Sequence, residues 1–279
     1  MADDSVFNGE EQNDKKNIIN EESSWNENSS DVNPDEAILA QVKEIEREIA
    51  DVVPLIGPLI DLSCLQNEYA DDDKVYIQKI KDLRNKYQFM RRTRPDGNCF
   101  FRAFSFAYLE SLLHDKQEYL RFKTVAARSK PDLIALGFPQ FTIEDFHDTF
   151  MEVLNKIETQ ISEEELLNIL NDQGYSDYIV VYMRLLTSGY LRKEEAFFSN
   201  FIEGDRTVLE FCHQEVEPMY KESDHIHVIA LTLTLGVGVK IQYMDRGESD
   251  KVNAHNFPED KAPRIHLLYR PGHYDILYE

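Results

Sequence analysis

Cysteine is scarce in this chain of 279 residues, which contains only Cys64, Cys99 and Cys212. Three thiols at such wide spacings form neither a disulfide framework nor a zinc site. We therefore expect no bound metal, no cofactor and a reducing compartment, which means the cytoplasm and also the nucleus.

Long hydrophobic runs are also absent. The longest apolar stretch, residues 228–239, is interrupted by threonine and glycine and is too short to cross a bilayer. The chain opens with MADD, which lacks the basic and apolar regions of a signal peptide. These features predict a soluble, intracellular protein.

Basic residues are few, because 30 Lys and Arg stand against 52 Asp and Glu, for a formal net charge of −22. Such a charge repels phosphate, which argues against nucleic acid and anionic membranes as partners and favours a basic protein. Residues 1–36 alone hold eleven acidic residues against two lysines. This segment has little apolar surface to offset its ordering entropy, so we predict a disordered acidic tail.

A helix is predicted directly after this tail, over residues 37–53. Asn33 and Pro34 provide an N-cap and a proline at the first helical position. An apolar stripe follows at spacings of four and three residues, and it includes Ile38, Val42 and Ile45. The stripe fits a helix packed on the core, and it also fits a mobile arm that binds a partner.

The remaining residues, 54–279, predict an α+β domain. Capping-box patterns at Thr142 and Ser162, and a stretch over residues 178–186 that is apolar on nearly all sides, predict helices through the middle of the chain. Residues 265–270 and 273–278 predict two strands, and the Pro271-Gly272 pair between them suits a type II turn. We therefore expect these two strands to pair antiparallel.

Cys99 is the candidate nucleophile. It follows the turn Asp96-Gly97-Asn98 and begins an amphipathic helical pattern. A helix N-terminus stabilises negative charge and so lowers the pKa of a thiol placed there. Gly97 tolerates positive φ, so the N–H groups of the turn are candidates to surround an oxyanion, and Asp96 is a candidate to fix the loop.

The base and its orienting group are predicted near the other end of the chain. His273 and Asp275 alternate by two along a strand and therefore project to the same face. With Cys99 they form the set that a cysteine protease needs. Taken alone, Cys99 also fits a small buried hydrophobe, and the same set could hydrolyse another acyl or peptide bond. Cys64 and Cys212 lack a comparable setting, and we interpret them as structural thiols.

A second histidine pattern follows Asp224. Two imidazoles two residues apart, His225 and His227, suggest a metal site, but at a helix start such side chains point in different directions. We therefore predict a helix capped by Asp224 with one exposed and one packed histidine. His225 is a candidate contact for a partner.

The segments 94–100 (RPDGNCF) and 269–275 (YRPGHYD) resemble the otubains, deubiquitinating cysteine proteases of the ovarian-tumour (OTU) class. The likeness covers roughly residues 40–279. Three further segments share it, namely 141–147 (FTIEDFH), 185–191 (LLTSGYL) and 222–227 (ESDHIH).

The resemblance implies a papain-like OTU fold over residues 54–279, mostly helical with a small, largely antiparallel central sheet. It also implies that Cys99 is the nucleophile, that His273 is general base and acid, that Asp275 orients the histidine, and that Asp96 belongs to the active site. Hydrolysis of isopeptide bonds between ubiquitin units, with preference for lysine 48 linkages, would follow.

The resemblance further implies a monomer with two partners, ubiquitin or polyubiquitin chains and a ubiquitin-conjugating enzyme (E2). Members of the otubain-1 type restrain such enzymes without cleavage and hold ubiquitin with an N-terminal helix. Ile38, Val42 and Ile45 on the predicted helix, together with His225, are the corresponding candidate ubiquitin contacts.

Overall fold

A computed structural model describes residues 34–247, 249 and 251–279. The predicted acidic tail, residues 1–36, lies outside the described residues except for its last three. The chain divides into two units between Glu46 and Arg47. Helix α1 (Pro34–Val52) begins in the first unit and ends in the second.

The second unit contains the other helices and the strands. The helices are α2 (Lys74–Arg84), α3 (Cys99–Leu112), α4 (Lys116–Ala135), α5 (Gln140–Glu158), α6 (Glu163–Asn171), α7 (Gln173–Lys193), α8 (Glu195–Phe198), α9 (Val208–Phe211) and α10 (His225–Leu235). The strands are β1 (Ile60–Asp61), β2 (Phe89–Arg91), β3 (Val239–Tyr243), β4 (Asn253–Phe257), β5 (Ile265–Arg270) and β6 (His273–Tyr278). Short 3₁₀ segments cover Leu62–Glu68 and Ser199–Phe201, and a π-helical turn covers Cys212–Val216.

The strands form one sheet in the order β1-β2-β6-β5-β3-β4. Adjacent strands in this sheet pair antiparallel, except that β3 and β5 run parallel to each other. The predicted hairpin of β5 and β6 is confirmed, and Gly272 has the positive φ, 76°, that a type II turn requires at its third position. The expected α+β class with a largely antiparallel sheet is confirmed as well.

Helix α3 is buried on nearly all sides, because most of its residues are apolar, and its Arg102, Ser105 and Glu110 are buried as well. It packs on β5 and β6 from one side and on α7 from the other. The opposite face of the sheet is covered by the 3₁₀ segment Leu62–Glu68 and by α2. This packing places the first residue of α3 beside the first residue of β6.

Two sequence expectations about local structure are wrong. Helix α5 begins at Gln140 rather than after Thr142, because extended Pro139 serves as its N-cap. Cys64 is exposed rather than packed, since Leu62 and Leu65 occupy the inward positions of its 3₁₀ segment. The capping box of Ser162 with Glu165 is confirmed. Within the described residues, none of the helices has the length and apolarity to span a bilayer.

Candidate active site

The turn before Cys99 is held by its own aspartate. Asp96 Oδ1 accepts a hydrogen bond from the Asn98 backbone N–H at 3.0 Å and another from Arg102 Nη1 at 2.8 Å. Gly97 has the positive φ expected, 75°. Asp96 therefore fixes the loop, as predicted, and ties it to the first turn of α3.

The side chain of Asn98 faces the protein interior and is fully buried. Its Oδ1 accepts from Arg184 Nη2 at 2.9 Å and from the Tyr220 backbone N–H at 3.0 Å. The Asn98 N–H is already bonded to Asp96. Asn98 therefore holds the loop, and our expectation that its N–H faces an oxyanion is wrong.

His273 lies between a carboxylate and a thiol. Its Nε2 is 2.9 Å from Asp275 Oδ1. Its buried Nδ1 has no hydrogen-bond partner at ordinary distance among the described residues, yet the Cys99 thiol is near enough to affect the titration of the ring. Cys99 is itself buried. The structure thus brings together residues that are 174 positions apart in the sequence.

The pKa of His273 reflects this position. Burial alone lowers the pKa of the ring, but the hydrogen bond with Asp275, the nearby Cys99 thiol and the charges of both outweigh burial and raise the pKa to about 9. The imidazolium is therefore favoured at neutral pH, as the partner of a thiolate must be.

The Asp275 carboxylate is completely buried. Besides His273, its Oδ1 accepts from the Thr93 backbone N–H at 3.0 Å, and its Oδ2 accepts from Arg270 Nη2 at 2.6 Å. Burial raises the pKa of this carboxyl, but the bond and charge of His273, the charge of Arg270 and the Thr93 N–H together hold it below its ordinary value. Asp275 is therefore a carboxylate with both oxygens occupied.

These geometries are those of a cysteine peptidase, and the comparisons with known proteins agree. A family model for peptidase C65, otubain, matches residues 48–279. The chain belongs to the otubain family.

This otubain is 59% identical to human ubiquitin thioesterase OTUB1 over 245 residues, which cover 88% of the chain and 90% of that protein. It is 44% identical over 255 residues to the Arabidopsis thaliana OVARIAN TUMOR DOMAIN-containing deubiquitinating enzyme 1, covering 84% of the chain and 83% of that protein. It is similar to the solved h/ceOTUB1–ubiquitin aldehyde–UBC13~Ub complex, with a TM-score of 0.84, 39% identity, and coverage of 88% of this chain and 98% of that one.

Two arginines near the site were missed by the sequence analysis. Arg184 of α7 is fully buried and donates to the carbonyl groups of Gly97, Val216 and Lys221 as well as to Asn98 Oδ1. Burial lowers its pKa to about 10. A lone arginine in the otherwise apolar stretch over residues 178–186 was the signal that would have revealed it.

Arg270 is the second missed residue. It ends β5 and pairs across the hairpin with His273. Its guanidinium joins Asp275 to Glu68. The register of the predicted hairpin placed it opposite His273, so the sequence contained this signal.

The histidines at the start of α10 differ as predicted. His225 is exposed and stacks on Tyr243. His227 is buried, accepts a hydrogen bond from the Asp224 N–H at 3.0 Å, and has a pKa lowered by burial to about 4. Within the described residues, no group of three or more His, Cys, Asp and Glu is arranged to hold a metal ion.

The candidate ubiquitin contacts lie on α1 and at the start of α10. Ile38 and Ile45 are exposed on α1, with 59% and 49% of their surface accessible. The side chain of Val42 lies outside the described residues. Cys212 is buried and its pKa is raised by burial to about 11, so it remains a structural thiol.

Proposed function

We propose that this otubain is a deubiquitinase that cleaves isopeptide bonds between ubiquitin units, with preference for lysine 48 linkages. Cys99 is the nucleophile, His273 the general acid and base, and Asp275 the orienting carboxylate. The observation that carries this proposal is the His273 ring, held by Asp275 on one nitrogen with Cys99 beside the other. The linkage preference rests on the family resemblance.

The first chemical step forms the bond between Cys99 Sγ and the ubiquitin C-terminal carbonyl carbon. The electron pair of the carbonyl moves onto its oxygen, which becomes a tetrahedral oxyanion. Because the Asn98 N–H is bonded to Asp96, the N–H groups of Gly97 and Cys99 are the donors of the turn that we assign to this oxygen.

The second step expels the lysine amine. His273 gives its proton to the leaving nitrogen as the C–N bond breaks, and a thioester between ubiquitin and Cys99 remains. The neutral imidazole then takes a proton from water as the water oxygen attacks the thioester carbonyl carbon. The C–S bond breaks, which returns the Cys99 thiolate beside the His273 imidazolium, and the ubiquitin carboxylic acid loses its proton to solvent. Asp275 stays ionised throughout, since its two oxygens are bonded to His273, Thr93 and Arg270.

A panel of diubiquitins tests this function. Wild-type protein should cleave the lysine 48 dimer faster than other linkages, and Cys99→Ser and His273→Ala should each lower kcat on the order of 10⁴-fold or more. Cys64→Ser serves as the matched control, because that thiol is exposed and outside the site. Cleavage by Cys99→Ser at the wild-type rate contradicts the proposal.

An exposed aromatic groove is the surface that we assign to ubiquitin. It encloses about 460 Å³ and includes His225 in its lining. Phe197 and Phe201 line it with 56% and 61% of their surfaces exposed. Exposed aromatic side chains beside polar residues are typical of protein-binding sites.

Phe201→Arg tests this surface. We expect KM for diubiquitin to rise at least about tenfold with little change in kcat, because the groove binds substrate without touching the reacting atoms. Leu120→Arg is the matched control, since Leu120 is also exposed, at 52%, but does not line the groove. Equal KM values for the two variants argue against this assignment.

We also propose a second, non-catalytic activity, the inhibition of ubiquitin-charged E2 enzymes through α1. The exposure of Ile38 and Ile45 favours a partner-binding role for this helix over packing in the core. Its support from known proteins is the similarity to OTUB1 complexes with UBC13~Ub and UBCH5B~Ub.

This activity is separated from cleavage in the Cys99→Ser background. We expect the double change Ile38→Ser and Ile45→Ser to relieve inhibition of ubiquitin-chain synthesis by an E2. Gln41→Ser, at another exposed position of α1, should leave inhibition unchanged. Full inhibition by the double variant contradicts the assignment to α1.

A further inference from the structure

The two oxygens of the Asp275 carboxylate have different partners. Oδ1 faces His273 Nε2 at 2.9 Å and the Thr93 N–H at 3.0 Å. Oδ2 is bonded to Arg270 Nη2 at 2.6 Å. A carboxylate held at both oxygens cannot rotate about its Cβ–Cγ bond without breaking a bond to a buried group.

Arg270 reaches Asp275 from the neighbouring strand. It is the last residue of β5, and its register partner on β6 is His273. Its second terminal nitrogen, Nη1, donates to Glu68 Oε2 at 2.6 Å, and Glu68 also pairs with Arg92. Charges therefore alternate from the buried Asp275 through Arg270 and Glu68 to Arg92.

A buried carboxylate is costly unless a cation and hydrogen bonds compensate it. His273 must change its charge during turnover and so cannot compensate Asp275 at every step. The guanidinium of Arg270 remains charged throughout. Asp275 therefore keeps a permanent counterion while the imidazole gains and loses its proton.

We propose that Arg270 is a positioning residue for the hydrolysis, which fixes the Asp275 carboxylate so that Oδ1 directs His273 toward Cys99, and that Glu68 positions Arg270 in turn. This inference rests on the roles proposed above for Cys99, His273 and Asp275. The Arg270 guanidinium bonds to Asp275 and Glu68. It acts through Asp275.

The charges around His273 determine how this arrangement affects pH dependence. Removing a nearby cation raises the pKa of both the thiol and the imidazolium, and removing a nearby anion lowers both. Asp275 faces the His273 ring, and Arg184 and Tyr274 interact electrostatically with Cys99. Asp275 is in turn bonded to Arg270 and the Thr93 N–H, and Arg270 is linked to Glu68 and Tyr69, with Arg92 beside Glu68. On the hairpin turn, the Glu222 carboxylate lies beside Gly272.

The experiment is a pH profile of kcat/KM on ubiquitin with a fluorogenic C-terminal amide. Arg270→Gln should lower kcat/KM on the order of 10²-fold, because misorientation of a catalytic group is costly. Its bell-shaped profile should shift to higher pH by about half a unit or more. Glu68→Gln should shift the profile in the opposite direction, to lower pH.

Arg270→Lys is the conservative variant. It keeps the charge but has no planar fork, so it should restore the wild-type position of the profile and recover about tenfold of the lost rate. Arg264→Gln is the matched control for loss of an arginine, since Arg264 pairs with Asp115 and Glu118 outside the site. It should leave the profile unmoved.

Wild-type kcat/KM in folded Arg270→Gln overturns the inference. The inference is also overturned if Arg270→Gln lowers kcat/KM without moving the pH profile and Arg270→Lys does not recover the lost rate. Such a result indicates a purely structural role for Arg270. If Arg270→Gln does not fold, the pH profile of kcat/KM in Glu68→Gln tests the inference instead. A profile that does not move in Glu68→Gln counts against the inference.

Labelling of Cys99 by a ubiquitin C-terminal electrophile separates this inference from the proposed function. If wild-type protein is labelled at Cys99 and Arg270→Gln behaves as wild type, the inference fails and the proposed function stands. If wild-type protein is not labelled at Cys99, the proposed function itself fails.

Discussion

The backbones of Gly97 and Tyr220 are in direct contact, and the Tyr220 carbonyl group occupies the space into which a Cβ on Gly97 would project. Both residues have positive φ, 75° and 65°. Asn98 Oδ1 and Arg184 Nη2 fasten the same two segments together. The turn that carries Cys99 is therefore shaped by a segment more than a hundred residues away.

Gly97→Ala should disrupt this contact. The new Cβ meets the Tyr220 backbone and the positive φ becomes strained, so we expect a loss of at least about 2 kcal/mol in the free energy of unfolding. The rate of Cys99 labelling by a ubiquitin electrophile should fall with it. Chemical denaturation and labelling kinetics measure the two effects.

Gly204→Ala is the matched control for that change. Gly204 also has a positive φ, 79°, but an added Cβ there meets nothing within 4 Å. We expect a smaller loss, about 1 kcal/mol, and normal labelling of Cys99. Equal effects of the two variants would show that the Tyr220 contact does not matter.

Asn98→Ala should destabilise the protein by about 1–3 kcal/mol. It leaves the Tyr220 N–H without its acceptor and removes one acceptor from Arg184, and both groups are partly or fully buried. Asn98→Asp should retain more stability, because it keeps an acceptor and adds a charge opposite Arg184. Thermal unfolding compares the stability of the two variants. If Asn98→Ala is more stable than Asn98→Asp, the role given to Asn98 Oδ1 is contradicted.

His273 should titrate near pH 9, since its pKa is raised to about 9 by Asp275 and Cys99 against the effect of burial. Its protonated form therefore contributes stability that is complete below the ordinary pKa of about 6.5 and is lost as the pH rises through about 9. Activity should fall over the same upper range. NMR titration of the ring checks this value.

In the same NMR titration, the pKa of His227 should lie below the ordinary value for histidine, whereas that of His273 lies above it. Burial lowers its pKa to about 4, so its ring should remain neutral down to about that pH. Protonation of His227 then favours the unfolded state as the pH falls from about 6.5 toward 4. A His273 signal that titrates near 6.5 would contradict the stabilisation of its imidazolium by Asp275 and Cys99.

Alkylation should distinguish the two cysteines outside the site. Cys64 is exposed and should react with iodoacetamide in the native protein. Cys212 is buried and its pKa is raised to about 11, so it should react only after unfolding. Mass spectrometry of tryptic peptides locates the adducts, and native modification of Cys212 would contradict its burial.

The parts of the site predictable from sequence are those fixed by local rules. The two-residue alternation of a strand placed His273 and Asp275 on one face, and the Pro271-Gly272 turn set the register of β5 and β6. Helix periodicity after Cys99 located the start of α3. Each of these needs only a few neighbouring residues.

The remaining features depend on contacts between distant segments. Arg184 is separated from Asn98 by 86 positions and Arg270 from Glu68 by 202, and no local pattern pairs them. The parallel pairing of β3 with β5 likewise depends on a crossover rather than on alternation. The exposure of Cys64, which we interpreted as a structural thiol, could not be predicted because the short 3₁₀ segment around it has no strong periodic signal.

The most direct measurement is the site of covalent labelling by ubiquitin that carries a C-terminal electrophile. We predict one ubiquitin per molecule, attached at Cys99, with the adduct lost in Cys99→Ser and formed much more slowly in His273→Ala. An adduct at Cys64 or Cys212, or an undiminished rate without His273, would contradict the account.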